Sequence, residues 1–85
     1  MYSVELTDTF GGEANYCWVK RATVSGGADI YGGAWTRKRE QALVMRRAKA
    51  AVGLNGVRGV TESVGCGYEF RPYGLLQVMF VQWVD

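Results

Sequence analysis

Residues 26–52 read GGADIYGGAWTRKREQALVMRRAKAAV, a loop with two Gly-Gly pairs that leads into the strongest helical pattern of the chain. Because glycine disfavours a helix interior, the helix should begin after Gly32-Gly33. Thr36 suits the N-cap position, since its hydroxyl can accept a free backbone N–H of the first turn. Gly53 can adopt the left-handed conformation that ends a helix. The pattern therefore predicts one helix over residues 36–52.

The predicted helix has an apolar face and a basic face when its residues are placed at about 100° intervals. The residues expected to face the core are Gln41, Val44, Met45, Ala48, Ala51 and Val52. Four cations are expected to point away from it, namely Lys38, Arg39, Arg46 and Lys49, and Arg37 and Arg47 flank these groups. Leu43 and Ala50 form a minor apolar spot that we expect at the surface.

The first turn of this helix carries cations at its positive end. Arg37, Lys38 and Arg39 adjoin the free N–H groups, where each cation costs about 0.3–1 kcal/mol. Two interpretations stay open. This end of the helix binds an anionic partner, either a phosphate or an acidic protein surface, or its cations form a solvated face that Glu40 partly neutralises.

Alternating apolar and polar residues predict two strands before the helix. In the first, over residues 2–8, Tyr2, Val4 and Leu6 face the same way. A glycine-containing turn over residues 9–15 joins it to a second strand over residues 16–25. A short link of this kind favours an antiparallel hairpin.

Further strand patterns follow the helix. Strands are predicted over residues 57–64, with a bulge at Gly59, and over residues 68–71. The run LLQVMFVQWV, residues 75–84, is typical of a central strand buried on both faces. The order strand-strand-helix-strand-strand predicts an α+β fold, in which one helix packs on one face of an antiparallel sheet of four or five strands. With 85 residues, we expect a single domain over residues 1–85.

Composition limits the compartment and the cofactors. The chain has two cysteines and no histidine, so we expect no metal site and no cofactor. Cys17 is expected in the core and Cys66, between two glycines, at the surface, both as free thiols. The opening MYSVELTD lacks the basic segment and apolar run of a signal peptide. No apolar run reaches membrane length, so we expect a cytoplasmic protein with no membrane contact.

Catalysis is not expected. Without histidine the commonest general base is absent, and the carboxylates form no paired motif, so no catalytic residue is assigned. The glycine pairs before the helix resemble a phosphate cradle but match neither GxxxxGK[ST] nor GxGxxG. Glycines that simply allow a tight passage into the helix explain them better.

The candidate site is therefore a binding surface. It joins the basic residues of the helix to two aromatic residues of the preceding loop: Tyr31, Trp35, Arg37, Lys38, Arg39, Arg46, Arg47 and Lys49. Arginine and aromatic side chains anchor protein interfaces, which favours a protein partner. The alternative partner is DNA or RNA, bound through its backbone phosphates. Phe10 in the first turn is a second exposed candidate, and the sheet edges allow a homodimer.

The stretch VELTDTFGGEANYCWVKR, residues 4–21, resembles the start of small uncharacterised proteins encoded by bacteriophages and prophages. The resemblance implies a compact phage accessory protein that acts in the cytoplasm of the bacterial host. Many such proteins bind a host or defence component, including inhibitors of the CRISPR machinery, and others bind nucleic acid. It supplies no catalytic residue.

Overall fold

A computed structural model describes residues 1–27 and 36–84. The described elements are β1 (Tyr2–Phe10), β2 (Glu13–Val24), α1 (Arg37–Ala51), β3 (Gly59–Val64), β4 (Gly67–Pro72) and β5 (Gln77–Trp83). All strand pairs are antiparallel, so the predicted α+β class with one helix on an antiparallel sheet is confirmed. Two strands precede the helix and three follow it. Within the described ranges, no helix is long and apolar enough to cross a membrane.

The strand order in the sheet is β2-β1-β5-β4-β3. β5 therefore lies at the centre, between β1 and β4, as its apolar sequence predicted. Its Val78, Met79 and Val81 have no exposed surface; Val78 faces one side of the sheet, and Met79 and Val81 face the other. The hairpins β1–β2 and β3–β4 flank β5, which pairs with β1 along one edge and with β4 along the other.

Alternation along β1 places its apolar residues under the helix. Tyr2, Val4 and Leu6 are buried, as predicted, and they belong to the cluster that α1 covers. The other buried members are Val44, Met45, Ala48, Val52, Leu54, Phe70, Met79 and Val81. Because Ala48 is small and fully buried, the helix can approach the sheet closely at this point.

Local capping fixes both ends of α1. The Thr36 hydroxyl accepts a hydrogen bond from the Arg39 N–H at 3.2 Å, which satisfies one free donor of the first turn. Gly53 follows the helix with a φ of +83°, a conformation that side chains other than glycine rarely adopt. The predicted boundaries are confirmed.

The predicted faces of the helix need three corrections. Ala51, at the edge of the predicted core arc, is exposed. Leu43, expected at the surface, is buried, because the chain after β2 runs along its side of the helix. On that side Glu40 accepts a hydrogen bond from Gly27 and Arg47 donates to Ser25.

Lys49 is the third correction, because its ammonium group turns back to the sheet. Its Nζ donates to the Val57 carbonyl at 3.0 Å and lies 4.3 Å from the centroid of the Phe70 ring. The flexible stem of lysine allows this, and the aromatic face attracts the cation.

Two predictions about the strands are wrong. Gly59 is no bulge, since it pairs in register with Pro72, and a Cβ there would meet the Arg71 carbonyl oxygen. A glycine is needed at this position because the backbone of β4 approaches too closely to leave room for a side chain. Cys17 is exposed rather than in the core. The cause is an irregularity in β2: Thr7 pairs with Val19 and Thr9 with Ala14, so residues 15–18 stand opposite Asp8 alone.

Candidate functional site

The exposed side of α1 carries three of the predicted site residues. Lys38, Arg39 and Arg46 are exposed, and within residues 1–27 and 36–84 none of them forms an ion pair. Arg39 and Arg46 are separated by about two helical turns, or roughly 10 Å along the axis, and so lie on the same side. We call Lys38, Arg39 and Arg46 the basic helix face.

The other three predicted cations lie outside this face. Arg47 donates to both the carbonyl and the hydroxyl oxygen of Ser25, each at 2.9 Å. Lys49 is held by Val57 and Phe70, as described above. Arg37 is exposed and borders a cleft at the start of the helix. The six cations that lie within residues 37–49 therefore separate into the basic helix face and three other locations.

The cleft beside Arg37, called here the N-terminal cleft, has a volume of about 270 Å³. It is lined by Tyr2, Arg37, Glu40, Ser63, Gly65, Cys66, Gly67, Tyr68 and Trp83. Trp83 is 44% exposed and contacts Tyr2 edge to face, with 5.1 Å between ring centroids. A large, half-exposed ring beside a cation is a common anchor in protein interfaces.

Sequence reasoning missed Trp83 as a partner of the helix. Tyr31 and Trp35, the aromatic residues that it assigned, lie outside the described residues. Trp83 is more than 40 residues from Arg37, and only the pairing of β5 with β1 brings it to the start of the helix. The available signal was a tryptophan at the end of an otherwise apolar strand, where one side of its ring can reach solvent.

Glu40 anchors the helix to the sheet. Its carboxylate accepts hydrogen bonds from the Tyr2 hydroxyl at 3.0 Å and from the Gly27 N–H at 2.7 Å. Burial raises the pKa of Tyr2, and the hydrogen bond to Glu40 raises it further, so the phenol stays protonated and donates. Glu40, which one of the two interpretations of the sequence gives as a partial neutraliser of its neighbours, thus contacts both β1 and the chain after β2.

Other described carboxylates are engaged away from the basic helix face. Glu5 pairs with Arg21 and Glu69 with Arg71, each at 3.2 Å. Asp8 accepts hydrogen bonds from Asn15 and Cys17. The positive potential at Lys38, Arg39 and Arg46 is therefore not cancelled by these groups.

Two further candidate features are exposed at the surface. Phe10, predicted to be exposed, is 81% exposed, and the N–H of its neighbour Thr9 donates to the Leu76 carbonyl at 2.9 Å. Cys17 and Cys66 are both free and exposed. No group of three metal-binding side chains occurs among the residues that the structure describes.

No family model, curated protein or solved structure matches this chain. Three exposed cations on one helix can each bind a separate anionic group, and arginine can bind a carboxylate or a phosphate through two parallel hydrogen bonds.

Proposed function

We propose that the chain is a small, non-enzymatic binding module whose basic helix face contacts an acidic surface of a protein partner. The observation that carries this proposal is the set of exposed cations at Lys38, Arg39 and Arg46. They form no ion pair within the described ranges, while Glu5, Asp8 and Glu69 are engaged elsewhere. A partner that supplies carboxylates would complete the electrostatics of this surface.

Charge alone does not supply the affinity of such a complex. An exposed ion pair contributes about 0–1 kcal/mol, and long-range attraction mainly raises the rate of association. The N-terminal cleft provides the anchor, because Trp83 and Arg37 are of the types that dominate binding energy. The expected partner surface therefore carries several carboxylates and a group that can contact Trp83.

The resemblance of residues 4–21 to small phage proteins supports the class of partner. We place the partner in the bacterial cytoplasm, as a host or defence protein, and the chain as an inhibitor in the manner of proteins that block the CRISPR machinery. The alternative function is an accessory role on DNA or RNA, because the same three cations suit backbone phosphates.

One pair of matched variants tests both functions. The double variant Arg39→Glu/Arg46→Glu reverses two charges of the basic helix face. The control Lys20→Glu/Arg58→Glu makes the same charge change at two other exposed cations, on β2 and before β3. Both variants have the same net charge, so a difference between them reports the position of the charge.

Capture from bacterial lysate should enrich a discrete acidic protein with the wild type and the control, and lose it with the helix variant. Equal capture by both variants would contradict the role of the helix face.

Fluorescence anisotropy with labelled DNA and RNA tests the alternative. Under the protein hypothesis, binding stays weak at about 50 mM salt. Tight binding that weakens steeply towards about 200 mM, and that the helix variant abolishes, would establish the nucleic-acid function.

A further inference from the structure

The face of the sheet opposite α1, called here the open face, carries polar and aromatic side chains. Register places Glu5 of β1 between Arg21 of β2 and Phe80 of β5, and Ser3 between Thr23 and Gln82. By strand alternation, these residues lie on the face of the sheet that points away from the core residues Val4 and Val81. The open face is thus a separate surface from the basic helix face.

Part of the open face is covered by the irregular segment of β2. Thr7 and Val78 pair with each other on this face, yet neither has any exposed surface. The Tyr16 N–H donates to the Thr7 hydroxyl oxygen at 3.0 Å, which holds residues 15–18 against β1. Residues 15–18, called here the wall, therefore cover one end of the open face.

Asp8 fixes this wall in place. Its Oδ1 accepts a hydrogen bond from the Cys17 N–H at 2.8 Å, and its Oδ2 accepts one from the Asn15 amide at 2.9 Å. Between these contacts Tyr16 has a φ of +56°, and no other non-glycine residue of the described ranges has a positive φ. A bulky residue persists there only when its surroundings enforce it, and such bulges often redirect a side chain towards a site.

The redirected Tyr16 borders a cleft on the open face. The cleft has a volume of about 250 Å³ and is lined by Ser3, Glu5, Tyr16, Phe80 and Gln82. Tyr16 is 53% exposed, so much of its ring is available to a ligand. Two aromatic rings beside an amide, a hydroxyl and a carboxylate suit a planar ring that has hydrogen-bonding groups at its edge.

A second cleft continues from the first. It has a volume of about 420 Å³, shares Ser3 and Glu5, and adds Arg21. Glu5 holds the Nε of Arg21 at 3.2 Å, while 72% of the arginine side chain is exposed. Because arginine has five N–H donors, its terminal nitrogens stay available for an anionic group. The ligand that fits both clefts is a planar heterocycle joined to an anion.

We propose that the open face binds a nucleotide, with the base against Tyr16 and Phe80 and the phosphate at Arg21. Gln82 and Ser3 supply hydrogen bonds to the edge of the base, and Glu5 positions Arg21. Stacking on aromatic rings accepts every base, whereas the polar groups favour some bases over others. The nucleotide is either free or one unit of a single strand.

Two-dimensional ¹H–¹⁵N NMR of the labelled protein tests the site, with the four nucleoside 5′-monophosphates as probes. We expect saturable shifts of the Ser3, Glu5, Phe80 and Gln82 amides with at least one probe. The parent nucleosides should shift the same amides with lower affinity, because they lack the group that Arg21 binds. Ribose 5-phosphate should bind more weakly still, because it lacks the base.

Three variants identify the groups involved. Tyr16→Gly removes the ring and suits the positive φ, and should weaken nucleotide binding roughly tenfold or more. Tyr73→Gly removes an exposed tyrosine from the turn after β4 and should leave binding unchanged. Arg21→Ala should weaken binding of the nucleotide several-fold while leaving that of the nucleoside unchanged. Thermal unfolding of each variant checks that the fold is intact.

The source of the nucleotide is decided by an oligonucleotide of about six bases. Tighter binding than that of the mononucleotides, with the same amides shifted, assigns the site to a strand, and equal affinity assigns it to the free nucleotide. The proposal is overturned if no probe causes saturable shifts up to about 10 mM. It is also overturned if shifts are confined to residues 37–46, or if folded Tyr16→Gly binds as tightly as the wild type.

Discussion

The two faces of the sheet use the same strand alternation for different purposes. On the face under α1, apolar residues such as Val4, Phe70 and Val81 meet the helix and form the core. Among residues 1–27 and 36–84, the segment that covers the open face is that of residues 15–18, held by hydrogen bonds to Thr7 and Asp8. The comparison shows that one face is stabilised by burial and the other, locally, by polar contacts at a strained residue.

The largest expected effect lies on the helix-covered face. Ala48→Arg should lower the free energy of unfolding by about 3–5 kcal/mol or abolish folding, because it forces a long cation into a site with no exposed surface. Ala42→Arg, the same change at an exposed position of α1, should cost less than about 0.5 kcal/mol. Urea unfolding followed by circular dichroism measures both. Arg46→Ala should also leave stability nearly unchanged, and equal losses in all three would refute the assigned faces.

On the open face, Thr7→Val should cost about 1–3 kcal/mol, because the Tyr16 N–H loses its acceptor while the shape of the side chain is kept. Thr23→Val provides the control, since Thr23 is exposed on the same face in regular pairing with Ser3. It should change stability by less than about 0.5 kcal/mol. The same unfolding experiment compares them, and indistinguishable values would mean that the Thr7 hydroxyl does not support the wall.

A smaller effect tests the strain at Tyr16. Tyr16→Gly should be more stable than Tyr16→Ala by about 1 kcal/mol, because only glycine adopts a φ of +56° without steric cost. In the regular part of β2 the order should reverse, with Thr23→Gly less stable than Thr23→Ala by about 0.5–1 kcal/mol. Melting temperatures of the four variants give the comparison. The same sign at both positions would show that Tyr16 is unstrained.

The smallest effect concerns acid. The Asn15 amide lowers the pKa of Asp8 below its ordinary value of 3.8, and the N–H groups of Cys17 and Trp18 lower it further. Since the folded pKa is depressed, its contribution to stability is fully present above about pH 4 and is lost as the pH falls through the folded value.

Asp8→Asn has no carboxylate to protonate, so its melting temperature should fall less than that of the wild type between about pH 5 and pH 2. Glu13→Gln removes an exposed carboxylate from the same hairpin and serves as the charge-matched control. If the control flattened the pH profile as much as Asp8→Asn does, the effect would belong to net charge and not to the wall.

The features that were predicted correctly depend on local chemistry. Thr36 and Gly53 set the helix ends through their own hydrogen-bonding and backbone preferences, and alternation along β1 identified its buried side. The central position of β5 followed from its apolar sequence. Each of these signals is contained within a few consecutive residues, so the sequence alone was sufficient.

The features that were missed depend on distant parts of the chain. Residues 16–18 have the sequence pattern of an ordinary strand. Only the hydrogen bonds of this segment to Thr7 and Asp8 show that it departs from regular pairing and exposes Cys17. Lys49 is an exposed cation by helical periodicity, but Val57 and Phe70 attract it. For the candidate site, the basic helix face was predictable, whereas the contribution of Trp83 required the strand order.

The position of β5 has a consequence for biosynthesis. A ribosome delivers both hairpins before the strand that links them, so β1 and β4 each present an unsatisfied backbone edge until β5 emerges. Such edges are templates for pairing between chains. A newly made molecule is therefore most prone to aggregate in the interval before residues 77–83 pair with β1 and β4.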